Sequence, residues 1–299
     1  VHISGTSRLG ALYAEGDTYN LTGINIRNAY VDGTSDFVGG LIGYKHNNSS
    51  QKHFYITADN VHVTTTGGSY SGIVYGYGAV INGTVTNSSI SGNSLVGGIA
   101  GQQDTDYVYN NYLTNVSVTG KGSQIGGIYG HHDVVYNSYV KDSTISGGTS
   151  QVGGISGYGG WSIYNCSVIN TTISSPNASY VGGIEGLDWD GSRYNNYVYK
   201  TTIKGNTYVG GIIGHKNGTP NSSYHNNFVN ANITALGTGA GGILGYYQNN
   251  LEDENVRRVS LYSNVVANST ITANGDAGGL IGRIYQATDA SLGLIHHNI

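Results

Sequence analysis

The sequence is poor in residues on which several common classes of protein depend. It has one cysteine, two prolines and no methionine in 299 residues, and only 10% of its residues are charged. A single cysteine, Cys166, excludes an internal disulfide framework, and no Cys/His cluster has the spacing of a structural zinc site. No run of about 20 apolar residues occurs, so no segment is expected to span a membrane.

Other absences concern partners and processing. The net charge is -4 and the Lys and Arg residues are scattered, so no basic stripe predicts binding to nucleic acid. The chain has neither an initiating methionine nor a signal peptide, and we expect processing or a preceding portion of the polypeptide to account for this. Low charge alone would fit disorder, but 26 tyrosines and regularly placed Ile and Val residues indicate a packed β structure.

A six-residue phrase organises the sequence. The phrase, seen as Val209 to Gly214, recurs about nine times at intervals of 26 to 37 residues. A period in this range indicates a solenoid, a propeller or another repeat array. Because the repeat runs through the chain, we expect one elongated domain, with residues 1–18 as a partial coil or cap and residues 19–299 as the repeat region. The copies begin at Val38, Val96, Ile125, Val152, Val181, Val209, Ala240 and Ala277, with a degraded copy at Tyr70.

The glycine pair inside this phrase predicts a bend. An aliphatic residue precedes the pair and another follows it, and in a straight strand these two side chains would point to opposite faces. A turn at Gly-Gly, where positive φ is tolerated and a neighbouring coil can approach closely, lets both aliphatic residues face one core. The next position holds Ile, Ala, Tyr, Ser, Glu or Leu, and this variability predicts that it faces outward.

A second phrase lies between successive glycine phrases and is followed by an alternating run such as Val168 to Ile173. Each repeat therefore supplies about three short strands, which predicts an all-β parallel β-solenoid, or β-helix, of about nine coils of about 28 residues. Cys166 takes a position held elsewhere by Asn or Ser and is predicted to be a small filler. Stacked coils would place equivalent residues in ladders: rings from Tyr109, Tyr136, Tyr164, Tyr194, His225 and Tyr262, and polar side chains from Asn87, Asn115, Asp142, Asn170 and Asn268.

These phrases resemble the GLUG-motif repeats, which are named for a Gly-Leu/Ile-x-Gly core. The resemblance covers roughly Tyr19 to Gly282, apart from the degraded second copy and a long eighth interval. It implies a surface or secreted protein, because such repeats occur in adhesins, in filament or stalk segments and beside the catalytic part of secreted peptidases. It also implies that the repeats themselves are not catalytic.

The loops that follow the glycine phrase vary most in length, so they should emerge on one side and form the contact surface. Two tryptophans in neighbouring loops, beside acidic residues, could stack on sugar rings or simply cover the flank of the solenoid. His131, His132 and Asp133, together with Asp188, Asp190 and His215, could suggest a metal site or acid–base chemistry. The alternative is that these residues are simply polar residues of solvated loops. The candidate glycan or partner contacts are Trp161, Asp188, Trp189, Asp190, His131, His132 and Asp133.

Two further sets of residues point to surface roles. Asn-x-Ser/Thr triplets outnumber the chance expectation, which suggests glycosylation, although a repeat that places Asn at corners beside Ser/Thr would inflate the count. A charged cluster could form an intersubunit contact or a solvated loop. The candidate glycosylation sites are Asn20, Asn48, Asn82, Asn177, Asn217, Asn221 and Asn232, and the charge patch comprises Glu252, Asp253, Glu254, Arg257 and Arg258.

An outward row of hydroxyl side chains introduces another class of function, because flat threonine arrays on solenoids can bind ice. Ice-binding surfaces show two regular ranks, whereas the positions beside this row are expected to vary. Ordinary β-propensity explains the row equally well. The row comprises Ser89, Ser117, Thr144, Thr172, Thr202 and Thr270.

These observations together predict an extracellular structural or adhesive repeat protein, forming a segment or subunit of a surface filament. The alternatives are a carbohydrate-binding or polysaccharide-active β-helix and an ice-binding solenoid. Because the repeat strands carry almost no carboxylates, we expect no catalysis and no cofactor. The expected partners are further copies of the chain, end to end or side by side, and surface glycans.

Overall fold

The computed structural model describes residues 1–16, 20–45, 53–103, 107–217, 222–249, 259–286 and 295–299. These residues form a parallel β-solenoid of about eight coils of about 29 residues, close to the predicted nine of about 28. The described residues contain strands and no helix, and therefore no helix long and apolar enough to cross a membrane. The predicted all-β parallel solenoid is confirmed.

From Ser94 onward the coils contribute to four parallel sheets, named here A to D, and the chain visits them in the order B, C, D, A. Among the described residues, the coils before Ser94 contribute to sheets A, B and C but not to sheet D. Sheet A is the widest, with strands of up to nine residues. Its strands are His2–Gly5, Asn25–Gly33, Thr57–Thr65, Thr84–Gly92, Tyr112–Gly120, Tyr139–Lys141, Thr144–Gly147, Ser167–Ile169, Thr172–Ser175, Tyr197–Gly205, Phe228–Ala235, Val265–Val266 and Thr270–Ala273.

Sheets B and C are made by the two halves of the glycine phrase. The strands of sheet B are Val38–Gly39, Ser69–Gly72, Ser94–Gly97, Ile125–Gly126, Gln151–Gly153, Tyr180–Gly182, Val209–Gly210, Ala240–Gly241 and Ala277–Gly278. Those of sheet C are Tyr13–Gly16, Ile42–Lys45, Tyr75–Tyr77, Ala100–Gln102, Tyr129–His132, Ser156–Gly159, Glu185–Asp188, Ile213–Asn217, Leu244–Asn249 and Ile281–Gln286.

Sheet D closes the coil after the variable loop. Its strands are Tyr107–Tyr109, Val134–Tyr136, Ile163–Tyr164, Arg193–Tyr194, Ser223–His225, Ser260–Tyr262 and Ile295–His296. A two-stranded sheet, His53–Phe54 with Val80–Ile81, packs beside Tyr107–Tyr109. Equivalent residues pair directly from coil to coil, as in Tyr136 with Tyr164 and Thr172 with Thr202.

The glycine pair works by close approach of backbones. A Cβ atom on Gly182 would lie 1.9 Å from the carbonyl oxygen of Glu185, and one on Gly183 would lie 2.1 Å from that of Gly211 in the next coil. The missing Cβ also makes room for the Ile203 side chain of sheet A. The predicted bend is therefore confirmed, but positive φ is not its cause, since neither glycine adopts one.

The prediction that the variable fifth position of the glycine phrase faces outward is wrong. Ser156, Glu185, Ile213 and Leu244 occupy it in successive coils, and all four are buried. Ile184 lies at the corner between sheets B and C, so the alternation restarts after it, and both Ile184 and Glu185 are enclosed. The interior is consequently not filled by aliphatic residues alone.

The predicted ring ladder is present, and the predicted polar ladder is present over part of its length, because the coil of Phe228–Ala235 has no residue at that corner. The rings from Tyr109 to Tyr262 stack with centroids 4.7 to 5.0 Å apart, His225 included. At the corner within sheet A, Asn115 donates to Asn87 at 2.9 Å and Asn170 donates to Asp142 at 2.6 Å. These corner residues have φ between 46° and 55°, the left-handed region in which Asn and Asp are enriched.

Candidate functional site

The variable loops emerge between sheets C and D and carry large exposed aromatic side chains. Tyr107, Trp161 and Trp189 are 52%, 65% and 45% exposed, in contrast to the buried rings of Tyr75, Tyr129 and Tyr224. Tyr107 pairs with Val134 in the next coil, and Val135 pairs with Ile163 in the coil after that. Stacking of the coils therefore brings these loops side by side.

Two of these rings border a surface cleft. Tyr107, Asp133, Val134 and Trp161 line a cavity of about 280 Å³ that spans three coils. The Asp133 backbone N–H donates to Gln103 Oε1 at 3.3 Å, which ties the floor of the cleft to the preceding coil. The cleft thus combines two flat apolar rings with one carboxylate, the combination by which a protein stacks on a sugar ring and accepts hydrogen bonds from its hydroxyl groups.

A charged cluster lies beneath these loops, inside the solenoid. The side chains of Glu185, Asp188, Arg193 and Lys216 are completely inaccessible to solvent. Arg193 Nε donates to Glu185 Oε2 at 2.7 Å, and Arg193 Nη2 lies 3.3 Å from Asp188 Oδ1. Lys216 Nζ lies 3.6 Å from Asp188 Oδ2, and the hydroxyl group of the buried Tyr224 donates to the same oxygen.

The cluster holds the backbone of both tryptophan loops. Arg193 Nη1 donates to the carbonyl oxygen of Trp161 at 2.7 Å, and Lys216 Nζ donates to that of Trp189 at 2.9 Å. The Gly191 N–H donates to Asp188 Oδ1 at 2.9 Å. Hydrogen bonds that involve a charged group are the stronger kind, so these contacts fix the loops on which the exposed rings are mounted.

The ionisable groups respond differently to the same burial. Burial raises the pKa of Glu185 to about 8, against the opposing effect of Arg193. Burial also opposes ionisation of Asp188, but Arg193 and Lys216 outweigh it and hold the pKa of Asp188 below its ordinary value. Glu185 Oε1 has no hydrogen-bond partner among the described residues and lies 3.6 Å from Nδ1 of His132, whose own pKa burial holds well below 6.5.

The predicted contact residues thus separate into two groups. Trp161, Trp189, Asp190 and the half-buried His131 lie on the loop side, and Asp133 lines the cleft. His132 and Asp188 were expected on the loop surface but lie in the interior. The reason for this correction is that each continues a sheet C strand past the variable position, and His132 occupies the space that a side chain at Gly159 would fill.

Sequence reasoning missed Tyr107 and Val134 in the cleft, and Glu185, Arg193, Lys216 and Tyr224 in the cluster. A signal was available for Arg193, because equivalent residues in the neighbouring coils are apolar or aromatic, as at Ile163 and Tyr224. Among the described residues, no group of three or more His, Cys, Asp or Glu side chains is arranged to hold a metal ion.

The remaining predicted sites have varied positions. Asn20, Asn177 and Asn232 are exposed, whereas Asn82 and Asn217 are half-buried. Asn82 Oδ1 accepts a hydrogen bond from Asn110, so this asparagine belongs to a ladder. Asn48, Asn221 and the charge patch of Glu252, Asp253, Glu254, Arg257 and Arg258 lie outside the described residues.

Comparisons with known proteins give no family assignment. No family model matches the chain, so the GLUG resemblance depends on the sequence phrases alone, and no curated protein matches it. Among solved structures, the chain is similar to a mutant tailspike protein of E. coli bacteriophage HK620, in complex with a pentasaccharide, with 10% identity and a TM-score of 0.34. That alignment covers 100% of this chain and 58% of the tailspike chain.

Proposed function

We propose that this chain is an adhesive β-solenoid of an extracellular or cell-surface protein, and that it binds glycans on its loop side. The observation that carries the proposal is the cleft in which Tyr107 and Trp161 flank Asp133. Exposed aromatic rings are costly to leave in water, and here the loop of Trp161 is fixed by the buried Arg193, while Tyr107 is held by a strand of sheet D. A fixed site of this kind loses little conformational entropy when a ligand binds.

We further propose that the cleft binds glycans without cleaving them. Enzymes that hydrolyse glycosidic bonds normally place two carboxyl groups on either side of the scissile bond. Asp133 provides the one carboxylate among the residues that line the described cleft. Glu185 and Asp188 lie below but are inaccessible to solvent, so a saccharide in the cleft does not contact them.

The test is a glycan array with the intact chain, followed by titration of the best ligands using tryptophan fluorescence. Truncating an aromatic residue that anchors a ligand typically costs about 2 kcal/mol or more, so Trp161→Ala and Tyr107→Ala should each weaken binding by about 30-fold or more. Tyr30→Ala is the matched control, because Tyr30 is similarly exposed but lies in sheet A. Equal affinity in Trp161→Ala and the control would refute the site, and release of reducing ends from a bound polysaccharide would refute the non-catalytic role.

Self-association is a second part of the proposal. Val266, Ile271, Leu280 and Ile299 border a concavity of about 400 Å³ at the last described coil. A further coil, from this chain or another copy, would cover these apolar groups and pair with the exposed backbone. Sedimentation velocity over a wide concentration range tests the filament, since end-to-end stacking gives a continuous rise in sedimentation coefficient. A concentration-independent monomer would count against it.

A further inference from the structure

The outer surface of sheet A carries two parallel ranks of small hydroxyl side chains. The pairing from coil to coil aligns the residues of the predicted row with one another. It also aligns a second row, which lies two residues further along each strand. The first rank is Ser89, Ser117, Thr144, Thr172, Thr202, Asn232 and Thr270. The second rank is Ser91, Thr119, Ser146, Ser174, Lys204, Thr234 and Thr272.

The second rank overturns the expectation that positions beside the row vary. From Ser89 and Ser91 onward, over seven coils, hydroxyl side chains occupy every position in both ranks except Asn232 and Lys204. In the three coils before them the same columns hold His2, Tyr30 and His62 in the first rank and Ser4, Asp32 and Thr64 in the second. The residues between the ranks, such as Ile145, Ile173 and Ile203, point into the core, so the two ranks share one outer face. The first rank is largely exposed and the second is half-buried, and Thr119 Oγ1 lies 3.1 Å from Ser146 Oγ.

The repeat geometry sets the spacing of these groups. Adjacent strands lie about 4.8 Å apart and alternate residues of a strand about 6.6 Å apart, so the hydroxyl groups form a nearly rectangular lattice. Threonine side chains are stiff at χ1, which holds their hydroxyl and methyl groups in place before any partner binds. A partner that matches this face must be flat and must repeat at similar distances in two directions.

The chemistry of the face narrows the choice of partner. Within the seven coils from Ser89 to Thr272, Lys204 is the one charged residue of the two ranks and no aromatic ring occurs in them, in contrast to the loop side with Tyr107, Trp161 and Trp189. A stretch of seven coils with a single charge does not select an ionic partner, and ranks without rings give sugar planes nothing to stack on. Ordered water at an ice surface has two unequal repeats of this kind and forms hydrogen bonds with hydroxyl groups. We propose that this face of sheet A binds ice.

The test measures thermal hysteresis and inhibition of ice recrystallisation with the intact chain. The protein is produced in a host that does not glycosylate asparagine, because a glycan on Asn232 would stand within the first rank. Thr172→Tyr places a bulky ring in the middle of the exposed rank and should remove most of both activities. Thr149→Tyr is the matched control, because Thr149 is exposed in the turn that follows sheet A and lies outside both ranks. This control should keep the activities of the original chain.

Circular dichroism spectra and melting curves establish that the variants are folded, and Thr144→Lys replaces Thr172→Tyr if the latter does not fold. The proposal is overturned if the original chain shows neither activity, or if the rank variant and the control lose activity equally. A parallel sedimentation assay with crystalline cellulose and chitin distinguishes another flat lattice. Binding to these solids without thermal hysteresis would replace ice by a crystalline polysaccharide and overturn the proposal.

Discussion

The interior of this solenoid is filled in two different ways within the same coil. Toward sheets A and B the enclosed side chains are aliphatic, as with Val181, Ile184 and Ile203. Between the ends of sheets C and D, the same coils enclose the charged side chains of Glu185 and Arg193 instead. The aliphatic part stabilises the coil through the area it removes from water, whereas a buried ion pair contributes little net stability.

This difference indicates the role of the buried charged side chains. Replacing a buried ion pair by apolar residues of similar size is often neutral or stabilising, so stability does not explain its presence. Its hydrogen bonds to the carbonyl groups of Trp161 and Trp189 do give it a purpose, because no aliphatic residue could make them. The aliphatic half thus builds the coil, and the charged half orients the loops of the proposed binding side.

The largest effect on the free energy of unfolding is expected when one residue of the buried charged cluster is replaced. Arg193→Leu takes a cation from the buried Asp188 carboxylate, removes the donor to Glu185 and frees the Trp161 carbonyl group, so we expect a loss of about 3–5 kcal/mol in the free energy of unfolding. Ile203→Val is the matched change in the aliphatic half and should cost about 0.5–1.5 kcal/mol. Urea unfolding measures both. Equal costs would contradict the distinction between the two halves.

The second largest effect on stability is expected at the glycine pair, where the backbones of neighbouring coils approach each other closely. In Gly183→Ala the new methyl group would meet a backbone oxygen of the next coil, and overpacking of this kind costs about 1–3 kcal/mol. Gly160→Ala is the control, because no atom lies within 4 Å of a Cβ at that position. Thermal unfolding compares the two variants, and an unchanged melting temperature in Gly183→Ala would show that the coils can separate without cost.

The charged half should also give stability a pH dependence that the aliphatic half lacks. Glu185 titrates near 4.5 when unfolded, whereas burial raises its pKa to about 8 in the folded protein. The unfolded chain therefore loses this proton first, and the free energy of unfolding falls as the pH rises from about 4.5 to about 8. The depressed pKa of His132 has the opposite effect, but only below about pH 6.5.

Between pH 6.5 and 8, comparison with a variant that lacks the carboxyl group separates the contribution of Glu185 from that of the buried histidines. In Glu185→Gln the fall in stability across this window should be smaller than in the original chain, as measured by urea unfolding at both pH values. Glu15→Gln, at an exposed position of sheet C, should leave the fall unchanged. If Glu185→Gln and the original chain show the same fall, Glu185 is already ionised in the folded protein at pH 6.5.

Sequence reasoning predicted the aliphatic half better than the charged half, for a physical reason. Repetition at one position, as for the Tyr109 to Tyr262 rings, is visible in the sequence and becomes a ladder through stacking alone. The charged cluster instead combines single, unrepeated residues from several coils. Its assembly depends on where the chain bends after each glycine pair, and the assumption of an outward variable position hid Glu185. The cleft was missed in part because Tyr107 and Trp161 meet only through the register of separate loops.

The interior also contains a column of buried amide side chains, one from each of several coils. Cys166 interrupts this column, and the smallest predicted effect concerns this interruption. Asn196 and Asn227 each accept a hydrogen bond from the backbone N–H of the preceding coil's column residue and donate to a carbonyl group, as Asn196 does to that of Ile163 at 3.1 Å. Cys166 takes the equivalent place, with its Sγ 3.8 Å from the carbonyl oxygen of Val135. As predicted, it is a small buried filler.

Cys166→Asn should restore the missing link, because the new amide could donate to Val135 and accept from the backbone N–H of Ser138. The side chains differ little in size, so a gain of about 0.5–1.5 kcal/mol is expected from the added hydrogen bonds. Cys166→Ala serves as the control, since it removes the thiol without supplying an amide and should be slightly less stable than the original chain. Urea unfolding under reducing conditions ranks the three proteins. If Cys166→Asn is the least stable, the site has no room for an amide, and the column depends on its exact neighbours rather than on its repeated hydrogen bonds.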